Sequence, residues 1–384
     1  MASYNLGCFC GSILCFFVGD LLGRRKTIFL GSTIVVIGAI LQSSAFHLAH
    51  LIVGRVITGI GNGLNTSTIP IWQSECSNSH VRGPLVMFTG SLITGGICIS
   101  YWLDFGFSFL DPSSISWRFP IAFQIFFALV ILCFILLLPE SPRWLILRGR
   151  NDEAKSVLVA LLGLPVDDPS VLHELATIKS TISETRQAGW HDLLTMGEDR
   201  HLHRIVLAYI NQMFQQISGI NLITYYAATI YQNHIGLSGF LSRILAACNG
   251  TEYFIASLLP VFICEKVGRR PLMLIGAAGM SFSMIILAIT TSHVGQTGPG
   301  IAAAIFMFVF NTFFAWGWLG MTWLYPAEIV RKENIHLVSG ELESDQSNCR
   351  NTGSATYPCP GKRVINLCEL DFQLLGSYGH ARFL

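Results

Sequence analysis

Nine long apolar stretches constrain this chain more than any other feature of its sequence. They cover roughly residues 3–19, 28–45, 50–71, 84–103, 119–138, 204–231, 239–263, 271–291 and 301–325. A helix needs about 20 mostly apolar residues to cross the hydrocarbon core of a bilayer. The sequence therefore predicts an all-α, multi-pass membrane protein with about nine spans. Eight spans are the alternative if the glycine-rich stretch at 59–63, which predicts close helix packing, is not a full span.

The low charge content excludes other classes of protein. Only 12% of the 384 residues are Asp, Glu, Lys or Arg, whereas soluble domains carry about 25%. The net charge of +1 gives no basic field for a nucleic acid. We therefore expect the lipid bilayer as the surroundings, and no nucleic-acid partner, metal or cofactor.

Positive charge lies mostly on one side of the predicted spans. If the basic turn Arg24-Arg25-Lys26 is cytoplasmic, fifteen Lys and Arg before residue 326 face the cytoplasm, and only Arg118 and Arg243 lie at outer ends. Cytoplasmic loops of membrane proteins carry such an excess. The prediction is an outer N-terminus and a cytoplasmic tail.

One short motif occurs twice. Asp20-Leu-Leu-Gly-Arg-Arg recurs 245 residues later as Glu265-Lys-Val-Gly-Arg-Arg, each time between two apolar stretches. The glycine permits a tight turn, and the arginines can bind the acid and the last carbonyls of a helix. The repeat divides the chain into two related halves around a long polar middle segment.

Further motifs resemble one family. They are Gly54-Arg-Val-Ile-Thr-Gly-Ile-Gly61, Arg82-Gly83, Pro139-Glu-Ser-Pro-Arg-Trp144, Gln215-Gln-Ile-Ser-Gly-Ile-Asn221 and Tyr325-Pro-Ala-Glu-Ile329. Together with the repeat, they resemble the sugar transporter family of the major facilitator superfamily. The stretches at 100–106 and 316–323 are similar to the fungal-type hexose and lactose permease branch.

The resemblance implies an incomplete fold and a division into four segments. Family members have twelve spans, and the nine seen here match the second to the tenth, so we expect a chain truncated at both ends by a faulty gene model, with a genuine short isoform as the alternative. The segments are the first half bundle at 1–138, a cytoplasmic linker at 139–203, the second half bundle at 204–330 and a disordered polar tail at 331–384. In the linker we expect a helix at 152–162 with Asn151 as its N-cap, and another at 170–187.

The span at 204–231 carries the amide side chains that a sugar site needs. Gln212, Gln215 and Gln216 are spaced i, i+3 and i+4 on one helix face, and amides both donate to and accept from hydroxyl groups. Asn221 would point away from Gln212 on a continuous helix, so it joins the site only if the helix breaks near Gly219. The alternative is that these glutamines bond neighbouring helices.

The resemblance implies roles for these and other residues. Gln215, Gln216 and Asn221 match residues that hydrogen-bond a hexose, with Gln212 close by, and Tyr225 and Tyr226 match residues that gate the outer side. Trp323 matches a tryptophan beneath the sugar ring, or is an interfacial aromatic residue instead, and Asn311 and Trp318 are weaker candidates.

Two charged residues, Arg55 and Glu252, lie inside spans, where a charge is costly unless it is paired or hydrated. Arg55 matches an arginine whose usual partner in proton-coupled members is an aspartate on the first span. Glu252 is a candidate for proton coupling, with a structural bond to a neighbouring helix as the alternative. The sequence leaves proton symport and facilitated diffusion open.

The resemblance also implies a cytoplasmic lock that closes when the site opens outward. Its predicted members are Arg24, Arg25, Glu75, Arg82, Glu140, Arg143, Glu265, Arg269, Arg270 and Glu328. Simple topology determinants would explain the arginines but not the glutamates.

The predicted function is transport of a hexose or disaccharide by alternating access, with no covalent step and hence no enzyme activity. We expect the protein in the plasma membrane. The alternatives are a sugar sensor that binds without transport, and an inactive truncated product.

Overall fold

The computed structural model describes residues 2–77, 82–110, 113–166, 168–187, 201–234, 236–291 and 297–325. Every regular element in these ranges is helical, and none of these residues forms a strand. The predicted all-α class is therefore confirmed. The predicted tail at 331–384 lies outside the described residues.

Five long helices form the first half. They are α1 (Ala2–Leu22), α2 (Arg24–Ser43), α3 (Leu48–Cys76), α4 (Arg82–Phe107) and α5 (Ile115–Ile135). A short 3₁₀ turn, Ser108–Leu110, extends α4. Each long helix lies on one of the predicted apolar stretches.

Three shorter helices follow in the polar middle segment: α6 (Pro142–Leu147), α7 (Asn151–Leu162) and α8 (Pro169–Gln187). The sequence did not predict α6, which begins where the Ser141 hydroxyl accepts the Trp144 backbone N–H at 3.2 Å. The prediction of Asn151 as an N-cap is wrong. Arg150 holds that position without a side-chain cap, and Asn151 is the first helical residue.

The second half contains α9 (His201–Ile217), α10 (Ile220–Thr229), α11 (Gly239–Val267), α12 (Arg269–Thr291) and α13 (Thr297–Phe314). A π-helical turn, Ile230–His234, follows α10. Another, Ala315–Leu319, continues α13 towards a last helical turn at 321–325.

Helices thus occupy all nine predicted stretches in the described part of the chain, and seven of them are long and apolar enough to cross a membrane. The two others differ for separate reasons. α3 has 29 residues but carries Arg55 and several amides, which lower its mean hydropathy. α9 and α10 are each too short to cross a membrane alone, because the helix is interrupted between them.

Large apolar side chains cover the outside of the helices, as a lipid-exposed surface requires. Phe17 is 64% exposed and Phe262 is 74% exposed. Small and polar residues lie inside, where they allow close helix contact. A Cβ atom added to Gly63 of α3 would lie 2.2 Å from the Cys8 carbonyl oxygen of α1. The close packing predicted for the glycine-rich stretch is confirmed.

The repeated motif has the same backbone conformation in both halves. Gly23, between α1 and α2, has φ 89° and ψ 174°, and Gly268, between α11 and α12, has φ 88° and ψ 162°. Glycine adopts such positive φ values at little cost. The sequence repeat is therefore also a structural repeat.

The two halves meet where α4 crosses α11. The Ser91 hydroxyl donates to the Ser257 carbonyl oxygen at 2.7 Å, and the Thr94 and Ser257 hydroxyl oxygens lie 2.8 Å apart. Hydroxyl bonds between helices satisfy polar groups that lipid cannot.

Candidate functional site

The amide residues of α9 lie against the last part of the α13 segment. Gln212 is 3% exposed and donates to the Thr322 carbonyl oxygen at 2.9 Å. Gln215 is 6% exposed and donates to the Trp318 carbonyl oxygen at 3.0 Å. Both bonds join neighbouring helices, as the alternative interpretation of these glutamines describes.

A break in the helix brings Asn221 to Gln216. α9 ends at Ile217, Gly219 has φ 91°, and α10 begins at Ile220. The predicted break is therefore confirmed. The Asn221 amide nitrogen donates to the Gln216 side-chain oxygen at 2.6 Å, and both side chains are half-buried. The side chains of this amide pair remain partly accessible, whereas those of Gln212 and Gln215 are buried.

The two candidate gating tyrosines differ in their surroundings. Tyr225 is 56% exposed, whereas Tyr226 is half-buried and has non-helical angles, φ −115° and ψ 15°, that kink α10. Beside them, the Tyr101 hydroxyl of α4 donates to the Thr224 carbonyl oxygen. α10 is thereby attached to the first half of the molecule next to these tyrosines.

The aromatic and amide candidates near α13 lie at different depths. Trp323 is half-buried in the turn at 321–325, where its backbone N–H reaches the Gly320 carbonyl oxygen at 3.2 Å. Asn311 is 2% exposed, and its side-chain oxygen has no hydrogen-bond partner among the described residues.

The two intramembrane charges lie in different halves. Glu252 on α11 accepts the Thr312 hydroxyl of α13 at 2.5 Å, which is the bond to a neighbouring helix expected as its alternative role. Arg55 on α3 is half-buried, and its Nε has no hydrogen-bond partner within the described ranges. Thr312, and not Arg55, is the partner of Glu252 in the described part of the chain.

A cavity of about 590 Å³ lies beside Glu252. It is lined by Trp102 of α4, Trp316 and Thr312 of the α13 segment, and one face of α11 from Cys248 to Leu259. Glu252 is the one ionisable carboxyl group among these described lining residues.

Four candidate lock residues, Arg24, Arg25, Glu75 and Glu140, form one cluster with Asp20 and Ser141, which we call the basic-end cluster. Arg24 pairs with Asp20 at 3.0 Å and with Glu75 at 3.1 Å. The Glu140 carboxylate accepts the backbone N–H groups of Arg24 at 3.1 Å and Arg25 at 3.3 Å. A carboxylate at a helix N-terminus is favourable, so Glu140 stabilises the start of α2.

Other groups complete this cluster. The Ser141 hydroxyl donates to Glu75 at 2.7 Å, and the Arg25 guanidinium donates to the Leu136 carbonyl oxygen at the end of α5. Asp20 and Ser141 were not predicted as members, although both stand inside motifs that are visible in the sequence.

In the second half, Glu265 pairs with Arg269 at 3.2 Å, at the same i, i+4 spacing as Asp20 and Arg24. The first half lies close to this pair, since a Cβ atom on Gly83 would be 2.5 Å from the Glu265 carboxylate.

The remaining candidate lock residues lie elsewhere. Arg143 of α6 is half-buried and Arg270 of α12 is exposed. The Arg82 side chain and the whole of Glu328 lie outside the described part of the chain.

Thr312 and Thr322 are contacts that sequence reasoning did not find, and Trp318 was only a weaker candidate. Trp318 and Thr322 accept through their backbone carbonyl oxygens, which every residue has, so residue type does not reveal these contacts. Thr312 stands next to Asn311, a weaker sequence candidate, but its bond to Glu252 depends on how α11 and α13 pack.

Comparisons with known proteins agree with this arrangement. The family model described as "Sugar (and other) transporter" matches residues 1–334. The MFS-type transporter oryC of Aspergillus oryzae is 43% identical over 336 residues, which are 85% of this chain and 62% of that protein. The sugar transporter STL1 of Saccharomyces cerevisiae is 40% identical over 333 residues, 85% of this chain and 58% of that protein. The chain thus spans about three fifths of the length of these relatives.

Among solved structures, the proton:xylose symporter XylE bound to 6-bromo-6-deoxy-D-glucose superposes with a TM-score of 0.79 at 24% identity. The match covers 100% of this chain and 78% of that one. At this identity the likeness concerns the fold. Motifs, helix arrangement and family match all agree, and the chain belongs to the sugar transporter family of the major facilitator superfamily.

Proposed function

We propose that this chain binds a hexose or disaccharide and carries it across a membrane, most simply the plasma membrane, by alternating access. The observation that supports this most strongly is the amide pair Gln216 and Asn221 at the break between α9 and α10. Broken helices that present polar groups at mid-membrane are typical of transporter binding sites.

The amide pair suits sugar recognition because each amide both donates and accepts. Their mutual bond of 2.6 Å can be exchanged for bonds to two ring hydroxyls. Gln212 and Gln215 take a supporting role in this proposal, since their amide nitrogens hold α9 against the α13 segment. Trp323 lies in the same segment and supplies an aromatic face for the apolar side of a sugar ring.

Movement of the halves is the second part of the proposal. The α4–α11 crossing joins the halves through hydroxyl groups near its middle, so the halves can rock about it. The basic-end cluster and the Glu265–Arg269 pair then act as the lock at one end. The charged members supply bonds that hold one state and break in the other.

Uptake into proteoliposomes tests the proposal. The wild-type chain should take up labelled hexose or disaccharide above protein-free vesicles, and an excess of the same unlabelled sugar should inhibit that uptake. Sugar binding without uptake would favour the sensor. A correctly folded chain that neither binds nor moves any sugar of the panel would contradict the proposal and favour an inactive product.

A further inference from the structure

Glu252 lies at a depth where an unpaired charge is costly. It is thirteen residues from the start of α11 and fifteen from its end, which places it about 20 Å from both ends of the helix. An acidic group at the centre of a span costs about 3 kcal/mol when charged. No Lys, Arg or His is among the described residues that line the adjoining cavity.

The groups that face Glu252 from the surrounding elements are weak acids or neutral. Tyr231 of the π turn and Tyr253 of α11 itself lie close enough to interact with it electrostatically. α4 contributes the indole of Trp102, and α13 contributes Thr312. Around these two tyrosines lie further weak acids, Tyr101 and Cys248 near Tyr231 and Tyr225 near Tyr253. The charges of α12 lie at its first two residues, Arg269 and Arg270.

The hydrogen bonds of Thr312 indicate which protonation state of Glu252 the structure favours. Its hydroxyl oxygen lies 2.5 Å from Glu252 Oε1 and 3.1 Å from the Phe308 carbonyl oxygen. Both neighbours accept hydrogen bonds when Glu252 is ionised, yet the hydroxyl has one proton to donate. Glu252 Oε2 is also buried without a partner among the described residues.

A proton on Glu252 resolves this shortage of donors. The carboxylic acid donates from Oε1 to the Thr312 hydroxyl oxygen, and the hydroxyl proton turns to the Phe308 carbonyl oxygen. Both short contacts are then hydrogen bonds. Oε2 becomes a neutral carbonyl oxygen, which is less costly to leave unpaired than a charged one.

We propose that Glu252 is a proton-binding site inside the second half, which takes up one proton from water through the adjoining cavity and reverses the direction of its bond to Thr312. One proton is bound and one negative charge is neutralised, and no other bond is made or broken. Most of the lining of the cavity of about 590 Å³ is apolar, and Thr251, Glu252 and Thr312 supply the hydroxyl and carboxyl groups that can bond the water that delivers the proton.

This inference deepens the proposed function, because Thr312 belongs to the same helical segment as the carbonyl groups that hold Gln212 and Gln215. A change at Thr312 can therefore reach α9, which bears Gln216 of the amide pair. Protonation of Glu252 would thus couple a proton to sugar movement.

Infrared difference spectroscopy of the purified wild-type chain between acidic and alkaline pH tests the site without any need for transport. We expect a carbonyl stretching band of a protonated carboxyl group that is absent in Glu252→Gln. The band should shift to higher frequency in Thr312→Val, because the Glu252 carboxyl group has lost its hydrogen-bond partner there. Glu153→Gln, a change at an exposed carboxylate, should leave the band unaltered.

Other spectra would overturn the proposal. These are a wild-type spectrum without such a band, a band that persists in Glu252→Gln, or a band that disappears only in Asp104→Asn, a change at the carboxyl group near the end of α4. Proton uptake that accompanies sugar uptake should be lost in Glu252→Gln while sugar binding remains. If the wild type takes up no sugar, the proposed function fails, and the infrared result still decides the proton site.

Discussion

At the scale of single residues, equivalent glycines of the repeat have different surroundings. Gly23 and Gly268 share a positive φ, but a Cβ atom on Gly23 would lie 2.9 Å from Glu140 and 3.1 Å from the Trp144 ring. At Gly268 the nearest such atom, on Pro271, is 3.9 Å away. The first copy of the turn is therefore packed against the linker, and the second is open.

This difference predicts unequal effects of alanine at the two positions. Each substitution places a side chain in an unfavourable backbone conformation, at a cost of about 1 kcal/mol or more. Gly23→Ala also disturbs Glu140 and Trp144, so we expect it to be less stable than Gly268→Ala by about 1–2 kcal/mol. Thermal unfolding of both variants in detergent measures the difference, and equal unfolding temperatures would contradict the packing at Gly23.

The same scale shows what the sequence could and could not predict about the site. Asn221 would point away from Gln212 on a continuous helix, and this spacing predicted a helix break near Gly219. Such a break is visible in a sequence because glycine is a residue type that favours it. The partner atoms of Gln212 and Gln215 are backbone carbonyl oxygens, and every residue has one. Only the packing of helices distant in sequence could identify them.

At the scale of helices, close contacts between small residues organise the first half. α1 and α3 approach so closely that a Cβ atom on Gly63 would lie 2.2 Å from a carbonyl oxygen of α1. The positions of the helices followed from apolar length alone. Which helices touch did not, since apolar patterns all round a span do not distinguish neighbours.

Alanine at a helix contact should therefore be more harmful than alanine at a free surface. Gly63→Ala forces α1 and α3 apart and should destabilise the protein by about 1–3 kcal/mol. Gly96→Ala in α4 meets nothing within 4 Å and should be neutral or slightly stabilising, because alanine favours helix. Unfolding temperatures of the pair provide the measurement, and a Gly63→Ala variant as stable as Gly96→Ala would refute the close contact.

At the scale of the whole molecule, two halves with equivalent turns meet mainly where α4 crosses α11 and carry charged clusters at one end. If the basic-end cluster is part of a lock, removing its central arginine should change transport more than folding. Arg24 bonds both Asp20 and Glu75, so its loss removes two ion pairs at once.

We expect Arg24→Ala to lower sugar uptake several-fold with normal delivery to the membrane. Arg150→Ala is the matched control, because Arg150 pairs with Glu153 at an exposed position, where ion pairs contribute little. Uptake and surface abundance are measured in cells that express each variant. Normal uptake by Arg24→Ala would show that the arginine determines topology rather than movement.

The central claim is that the amide pair at the helix break binds sugar, and calorimetric titration of the purified chain with hexoses and disaccharides tests it most directly. The account predicts that the wild type binds at least one of these sugars. Asn221→Ala should bind it about tenfold more weakly, since a lost hydrogen bond costs about 1 kcal/mol or somewhat more. Asn151→Ala, on the surface of α7, should bind as the wild type does. Equal affinity in Asn221→Ala, or no sugar binding by the folded wild type, would contradict the account.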